Sequence, residues 1–386
     1  MLDLSRQYEP IRLELLDALA GVIDSRQFIL GDEVAAFERA AAGYLGATHA
    51  VGCSSGTDAL WLALAGTGVV PPEWAERDRG ERAGTGVTVV TTPFSFFASV
   101  SSILRAGARP ALADIDPVTF NLSPAAVEKV LDDKRGAGAK AILAVHLYGQ
   151  CSSGFGRRPG IAIIEDAAQA WGAQWNGVKA GALGDAAAFS FYPTKNLSAA
   201  GDAGMVTTSS DEIAERVKML RQHGMRRRYF HDELGWNARM DGFQGAVLKV
   251  KLKYVDAWNE ARRAAASRYE ALFRKAGLAE NGIYPERGVV LPREVEGAKH
   301  AWHQYVIRVT RRDALREFLT ARQIGSEIFY PIPLHMQEAL KGLRYKEGDF
   351  PEAERAAREV LALPMFPELR EDEQEAVVRA VAEFCS

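Results

Sequence analysis

The sequence predicts an α/β protein built on a mostly parallel sheet with helices packed on both faces. The main evidence is a series of short runs that begins at residue 87: Val87–Thr92, Arg109–Asp114, Ala141–His146, Ile161–Ile164, Ala186–Phe191 and Gly204–Thr208. They are apolar almost throughout and are separated by helical or loop segments, as expected for strands covered on both sides. The second observation is size, since 386 residues suffice for a sizeable core and two domains.

Before the first of these runs, Ile11, Leu15, Leu19 and Val22 recur at helical spacing. That helix leads into the turn Leu30-Gly31-Asp32, and a second helix is expected over Glu33–Tyr44. Residues 66–86 are rich in Gly, Pro and charge and read as a surface loop. Beyond the strands, Val247, Val250, Tyr254 and Trp258 predict a helix running past Arg262. It links to a smaller α+β region with a strand over 303–309 and a helix over Arg312–Ala321. The chain divides accordingly into a large domain over 1–248, with an N-terminal helical segment, and a small C-terminal domain over 249–386.

Composition narrows the function classes. The 47 basic and 50 acidic residues leave a net charge of −3, which argues against a nucleic-acid binder. Cys53, Cys151 and Cys385 are too scattered for a disulfide framework or a zinc site, so no metal is expected. No run of eighteen apolar residues occurs, so no membrane span is read. The start does not look like a signal peptide, which makes the cytoplasm the expected location.

Open sheets of this kind bind ligands at the carboxyl ends of their strands. Asp166 and Lys195 both fall just beyond such ends. A protein that holds pyridoxal phosphate needs an amine for the cofactor's aldehyde and an acid for its pyridine nitrogen. Lys195 is also what a solvated loop lysine looks like, and Asp166 is equally a helix N-cap. Ser54–Leu64 reads as a small-residue turn opening a helix, a place for a phosphate or simply a cap. Ser190 lies five residues before Lys195 and offers a hydroxyl to the same phosphate, or is an ordinary strand serine. Phe94, Phe96 and Phe97 follow a strand end, where an aromatic either stacks on a planar ring or packs in the core. Arg226, Arg227 and Arg228, with Arg239 nearby, form a solvated basic face or a place for a diphosphate.

Taken together, these segments resemble the DegT-type sugar aminotransferases, a family of fold-type-I pyridoxal-phosphate enzymes. The resemblance runs over nearly the whole chain. It includes Ser55–Leu60, Thr92–Phe96, Asp114–Pro117, His146–Gln150, Glu165–Gln169, Ser190–Leu197, Gly235–Met240 and Tyr330–His335. It departs from the usual pattern in the long 66–86 loop, in Gly201-Asp-Ala-Gly204 and in Gln244-Gly-Ala246.

The resemblance implies a fold-type-I architecture with a seven-stranded sheet and assigns roles by position. Lys195 would bond to the cofactor, Asp166 would pair with its ring nitrogen and Gln169 would meet its phenolic oxygen. Phe96 would stack on the ring, and Gly56, Thr57 and Ser190 would hold the phosphate. Asn237 would reach the phosphate in a neighbouring copy, which implies a homodimer with shared sites. Tyr330, His335 and Arg239 are the substrate-side candidates. The implied reaction moves an amino group from glutamate to a nucleotide-linked ketosugar, with the cofactor cycling between pyridoxal 5'-phosphate and pyridoxamine 5'-phosphate. Lys195 argues against dehydratase relatives that carry histidine there, and three cysteines cannot supply an iron–sulfur cluster's usual four thiolates. A cyclitol-ketone aminotransferase and a non-catalytic regulatory protein of the same fold are the alternatives.

Overall fold

A computed structural model describes residues 2–70 and 86–386. Most of the loop read at 66–86 therefore lies outside the described residues. The large sheet has seven strands: β1 (His49–Cys53), β2 (Thr88–Thr91), β3 (Arg109–Leu112), β4 (Ala139–Val145), β5 (Ala162–Asp166), β6 (Ala186–Ser190) and β7 (Gly204–Thr208). Their spatial order is β1-β7-β6-β5-β4-β2-β3. Only β7 runs against the others. The carboxyl ends of β1, β2, β5 and β6 therefore share one edge of the sheet.

Both faces are covered, as the apolar runs predict. Val51, Ala186, Ala188 and Val206 enter one buried cluster, while Ala50, Ala187, Phe189 and Met205 enter another on the opposite face. This alternation follows from the two-residue period of a strand. Helix α1 (Leu4–Tyr8) precedes α2 (Arg12–Ser25) and α3 (Gly31–Leu45), close to the expected bounds. Helix α4 (Gly56–Gly66) follows β1, and α5 (Ala98–Arg105), α6 (Pro124–Asp132) and α7 (Asp211–Leu220) flank the sheet.

β1 was not among the strands expected. It is a five-residue segment containing a glycine and a histidine, so its composition carries little strand signal. Gly52 lets the Met240 side chain pack closely there, since a Cβ would meet its end at 3.0 Å and push it aside. The long helix expected from residue 247 is broken into α8 (Gly242–Leu252) and α9 (Val255–Lys275). Tyr254 and Trp258 still pack with Ile11, Leu15, Val247 and Val250. The apolar spacing therefore continues across the break and does not reveal it.

The C-terminal region holds a four-stranded sheet formed by Ala279–Glu280, Val289–Val290, Tyr305–Arg308 and Val360–Leu363. Helices α10 (Arg312–Ala321), α11 (Pro351–Glu359) and α12 (Glu371–Cys385) complete it. α10 has the expected bounds. The first helix is tied to this region, since Arg6 grips the Glu373 carboxylate at 2.7 Å. Among the described residues, no helix is long and apolar enough to cross a membrane.

Lys251, on α8, is buried where these parts meet. Its Nζ donates to Ser198 Oγ at 2.6 Å and to Tyr8 Oη at 3.0 Å, and it lies 4.3 Å from the Tyr8 ring centroid. Loss of water draws its pKa down to about 7. Between that value and the ordinary lysine value near 10.4, the unfolded chain binds this proton more strongly than the folded chain. Stability therefore rises with pH across that window. Lys251→Met should remove an increment on the order of 2 kcal/mol between about pH 7 and 9.5. Urea midpoints measured at both pH values check this, and equal pH slopes for the two proteins would contradict it.

Candidate active site

The site forms along the shared carboxyl edge of the sheet. Cys53 at the end of β1, Gly204 on β7 and Ser190 at the end of β6 lie in one row of the ladder. This register brings the start of α4 against Ser190. A Cβ on Gly56 would lie 2.5 Å from the Ser190 Cβ and 2.9 Å from its Oγ, so only glycine fits. On Gly204, a Cβ would strike the Ser55 carbonyl at 2.2 Å. Ser55 caps α4 by accepting from the Asp58 amide, leaving Gly56 and Thr57 in the first turn. The first amides of a helix have no intrahelical acceptor and favour an anion. The hydroxyl of Ser190 completes this cradle.

Asp166 ends β5 and is buried. Its Oδ2 accepts from Ser99 Oγ, in the first turn of α5, at 2.7 Å, and Ser99 Oγ is 2.8 Å from Ser95 Oγ, just before that helix. Its Oδ1 accepts from the Ala168 amide at 3.3 Å. Burial raises the carboxyl pKa, while the Ser99 hydrogen bond, the Ala168 amide and the charges of Lys195 and His146 oppose that rise. Among the described residues, Asp166 forms no ion pair, whereas the preceding Glu165 pairs with His146. A cation brought beside it would meet a carboxylate already held in place by Ser99 and the Ala168 amide.

Lys195 lies in the turn after β6, where its amide donates to the Tyr192 carbonyl at 2.9 Å. The loss of water around its amine draws the pKa down to about 8, and the Asp166 carboxylate pulls in the opposite direction. An amine so placed is neutral for a sizeable part of the time near neutral pH and can act as a nucleophile and a base.

Gln169 follows Asp166 across a short turn. Its Oε1 accepts from the Tyr148 amide at 2.7 Å, which leaves Nε2 facing Tyr330 Oη at 3.4 Å. Tyr148 Oη in turn donates to the Phe329 carbonyl, beside Tyr330. Burial and the Asp166 charge raise the Tyr330 hydroxyl pKa, so it stays protonated. The ring of Phe96 is 60% exposed, with its centroid 6.4 Å from that of Tyr330. A flat apolar face is thus open beside Tyr330, the residue that Gln169 also meets, whereas Phe94 is buried.

The remaining candidates lie farther out or point inward. Asn237 is exposed, and the next residue's carbonyl accepts from the Ser54 amide at 3.1 Å. It therefore lies beside the cradle on an outer face. Arg239 pairs through its backbone with Cys53, and its Nε is buried without a hydrogen-bond partner. Arg226, Arg227 and Arg228 lie on an exposed hairpin, where Arg226 binds Asp232, Arg227 covers Phe230 and Arg228 donates to Tyr229 Oη. His335 is only 3% exposed, with Nε2 3.1 Å from Glu354 Oε1 and its ring edge-on to Phe350. It is built into the interior rather than into a solvent-facing wall.

Sequence reasoning missed Ser99. Nothing in the residues around it signals that α5 delivers a hydroxyl to Asp166. It also missed the role of Tyr148, although that residue lies in the quoted run 146–150. The site fits a phosphorylated pyridine cofactor: an anion cradle, an acid for a ring nitrogen, a lysine and an open aromatic face converge on one edge.

Residues 10–382 match the DegT/DnrJ/EryC1/StrS aminotransferase family, and the chain belongs to it. It is 46% identical to a pleiotropic regulatory protein of Geobacillus stearothermophilus, over 100% of this chain and 98% of that one. It is 38% identical to a UDP-N-acetyl-3-dehydro-alpha-D-glucosamine 3-aminotransferase of Acidithiobacillus ferrooxidans, over 97% and 94%. The crystal structure of S. venezuelae DesV in complex with a ketimine intermediate superposes with a TM-score of 0.87 at 38% identity, covering 100% of this chain and 97% of that one. The seven-stranded, mostly parallel sheet with a smaller C-terminal sheet is the shared fold.

The amine of Lys195 should titrate near pH 8 in the cofactor-free protein. Labelling at a series of pH values, read by mass spectrometry, measures this midpoint. Asp166→Asn should move it lower, because the carboxylate favours the protonated amine. A midpoint at the ordinary lysine value, unchanged in the variant, would contradict the geometry.

Proposed function

We propose that this chain is a pyridoxal-phosphate-dependent aminotransferase that moves an amino group from glutamate to a nucleotide-linked ketosugar, in a two-stage exchange. The convergence of Lys195, Asp166 and Gln169 at one strand edge carries this reading. When bound, the cofactor supplies an aldehyde that takes up amino groups and a ring that accepts electrons from the adjacent carbon. Lys195 Nζ would hold the cofactor, be released by the donor amine, and then move a proton from the substrate carbon to the cofactor carbon. Asp166 would keep a proton on the ring nitrogen. At 4 Å and an effective dielectric near 20, such a pair is worth about 4 kcal/mol.

The remaining positions take supporting roles. Gly56, Thr57 and Ser190 would hold the phosphate, and Phe96 would cover one ring face. Gln169 presents Nε2 as a donor toward the phenolic oxygen, an orientation set by the Tyr148 amide. Tyr330 and Arg239 are the side chains retained for the substrate. Asn237 is exposed beside the cradle, and the adjoining hairpin exposes Tyr229 and Phe230. Pairing with a second copy across this face, each contributing Asn237 to the other's site, gives the homodimer. The free thiols of Cys53, Cys151 and Cys385 suit a reducing cytoplasm.

The UDP-sugar aminotransferase among the relatives supports a nucleotide-linked ketone over a free cyclitol. The regulatory name of the Geobacillus relative supports a second reading, a protein that binds the cofactor without turning over. An intact Lys195, with its amine brought into the nucleophilic range, favours catalysis.

A panel of nucleotide-linked ketosugars, with glutamate as donor, tests the substrate class. Amination of at least one nucleotide-linked ketone but no free cyclitol ketone is expected. Activity confined to cyclitols would overturn this part. Lys195→Ala should abolish both turnover and the visible band of the protein-bound cofactor, and wild-type turnover in that variant would sink the assignment. Ser99→Ala should weaken pyridoxal phosphate binding about tenfold or more, since hydrogen bonds to charged groups contribute about 1.5–3 kcal/mol. Fluorescence titration reads that change.

A further inference from the structure

Asn196, immediately after Lys195, is buried and has both side-chain polar atoms engaged. Its Nδ2 donates to Asn259 Oδ1 at 2.7 Å and to the Ala301 carbonyl at 2.9 Å. Its Oδ1 faces His303 Nδ1 at 2.9 Å. Because both acceptors lie on the Nδ2 side, the amide orientation is fixed, and His303 must donate from Nδ1. Asn259 is itself fixed, since its Nδ2 donates to the Trp171 carbonyl at 3.0 Å. A buried amide with all partners made is a rigid node, and losing one partner leaves an unsatisfied polar atom.

The segment carrying His303 is equally restrained. Arg262 of α9 donates to the carbonyls of Trp302 and His303, each at 3.4 Å, and to that of Met365 at 3.1 Å. The Ala301 amide donates to the Gly149 carbonyl at 2.8 Å, and the Gln304 amide to that of Tyr148 at 3.3 Å. Tyr148 is the residue whose amide orients Gln169. One short stretch, residues 300–304, therefore braces the residue next to Lys195 and the turn that aims Gln169. Burial, with the nearby positive charges of Lys195 and Arg262, keeps the His303 ring neutral.

From this geometry we propose that His303 is a positioning residue for the reaction: through its Nδ1 hydrogen bond to Asn196, it fixes the backbone that aims the Lys195 amine. The proposal rests on the aminotransferase reading for its kinetic consequence but not for the placement of the amine. His303→Leu removes the donor. His303→Asn restores it, because the asparagine Nδ2 can occupy the place of Nδ1.

The test measures three quantities in each variant: thermal midpoint, the labelling midpoint of Lys195 without cofactor, and kcat and KM with it. His303→Leu should raise the labelling midpoint toward that of an ordinary lysine. It should also lower kcat roughly tenfold to a hundredfold, with KM nearly unchanged, as expected for a misplaced reacting group. His303→Asn should return both quantities toward wild type. A folded His303→Leu protein with unchanged midpoint and kcat overturns the proposal, as does His303→Asn impaired as severely as the leucine variant. If His303→Leu does not fold, Asn259→Ala removes another arm of the node and should shift the labelling midpoint in the same direction, and no shift overturns the proposal. If the wild-type protein turns over no ketone, the aminotransferase reading fails, while the labelling midpoints still decide the role of His303.

Discussion

A carboxylate held at the end of a buried strand, with no ion-pair partner among the described residues, is the constraint around which this site is organised. Removing an ionised group from water costs several kcal/mol even after the protein relaxes. Asp166 offsets part of that cost with Ser99 and the Ala168 amide, and part with the field of Lys195. These contacts dictate their surroundings. Ser99 requires α5 to dock at the edge of the sheet. The Lys195 turn must lie within reach of β5, which requires β6 to be its neighbour. On the proposed reading, a cationic ring at this acid would supply the missing partner and gain binding energy from it.

The same edge solves the anion problem by different means. The first turn of α4 offers unshared amides, and the close approach of Gly56 to Ser190 admits no side chain between them. That approach depends on the register that aligns Cys53, Gly204 and Ser190. On the proposed reading, one edge of the sheet would supply a positive end for the phosphate and a negative end for the ring. Members of this family, including the UDP-sugar aminotransferase, share the architecture while differing in the ketone. This follows if the sheet edge fixes the cofactor and the outer residues fix the substrate.

Much of this was legible in the sequence. Strands buried on both faces leave apolar runs, and six of the seven sheet strands announced themselves in that way. β1 did not, because its five residues include Gly52 and His49 and its strand character comes from pairing with β7. The break between α8 and α9 was hidden because Tyr254 and Trp258 keep facing the same apolar cluster. Lys195 and Asp166 drew attention because each follows a buried apolar run, whereas Gln169 was singled out only through the resemblance. Ser99, Asn259 and His303 were not, because their importance arises from contacts across 63 to 107 residues of chain. His335, a substrate-side candidate through the resemblance, lies against Glu354, a contact that no local sequence pattern displays.

The central claim is that the edge carrying Lys195 and Asp166 accepts an amino group from glutamate. The most direct test is a single half-reaction, with the purified chain loaded with pyridoxal phosphate and mixed with glutamate in the absence of any ketosugar. The account predicts that the visible band of the bound cofactor disappears while about one equivalent of 2-oxoglutarate forms per site. A cofactor band that persists, with no 2-oxoglutarate released, would contradict it.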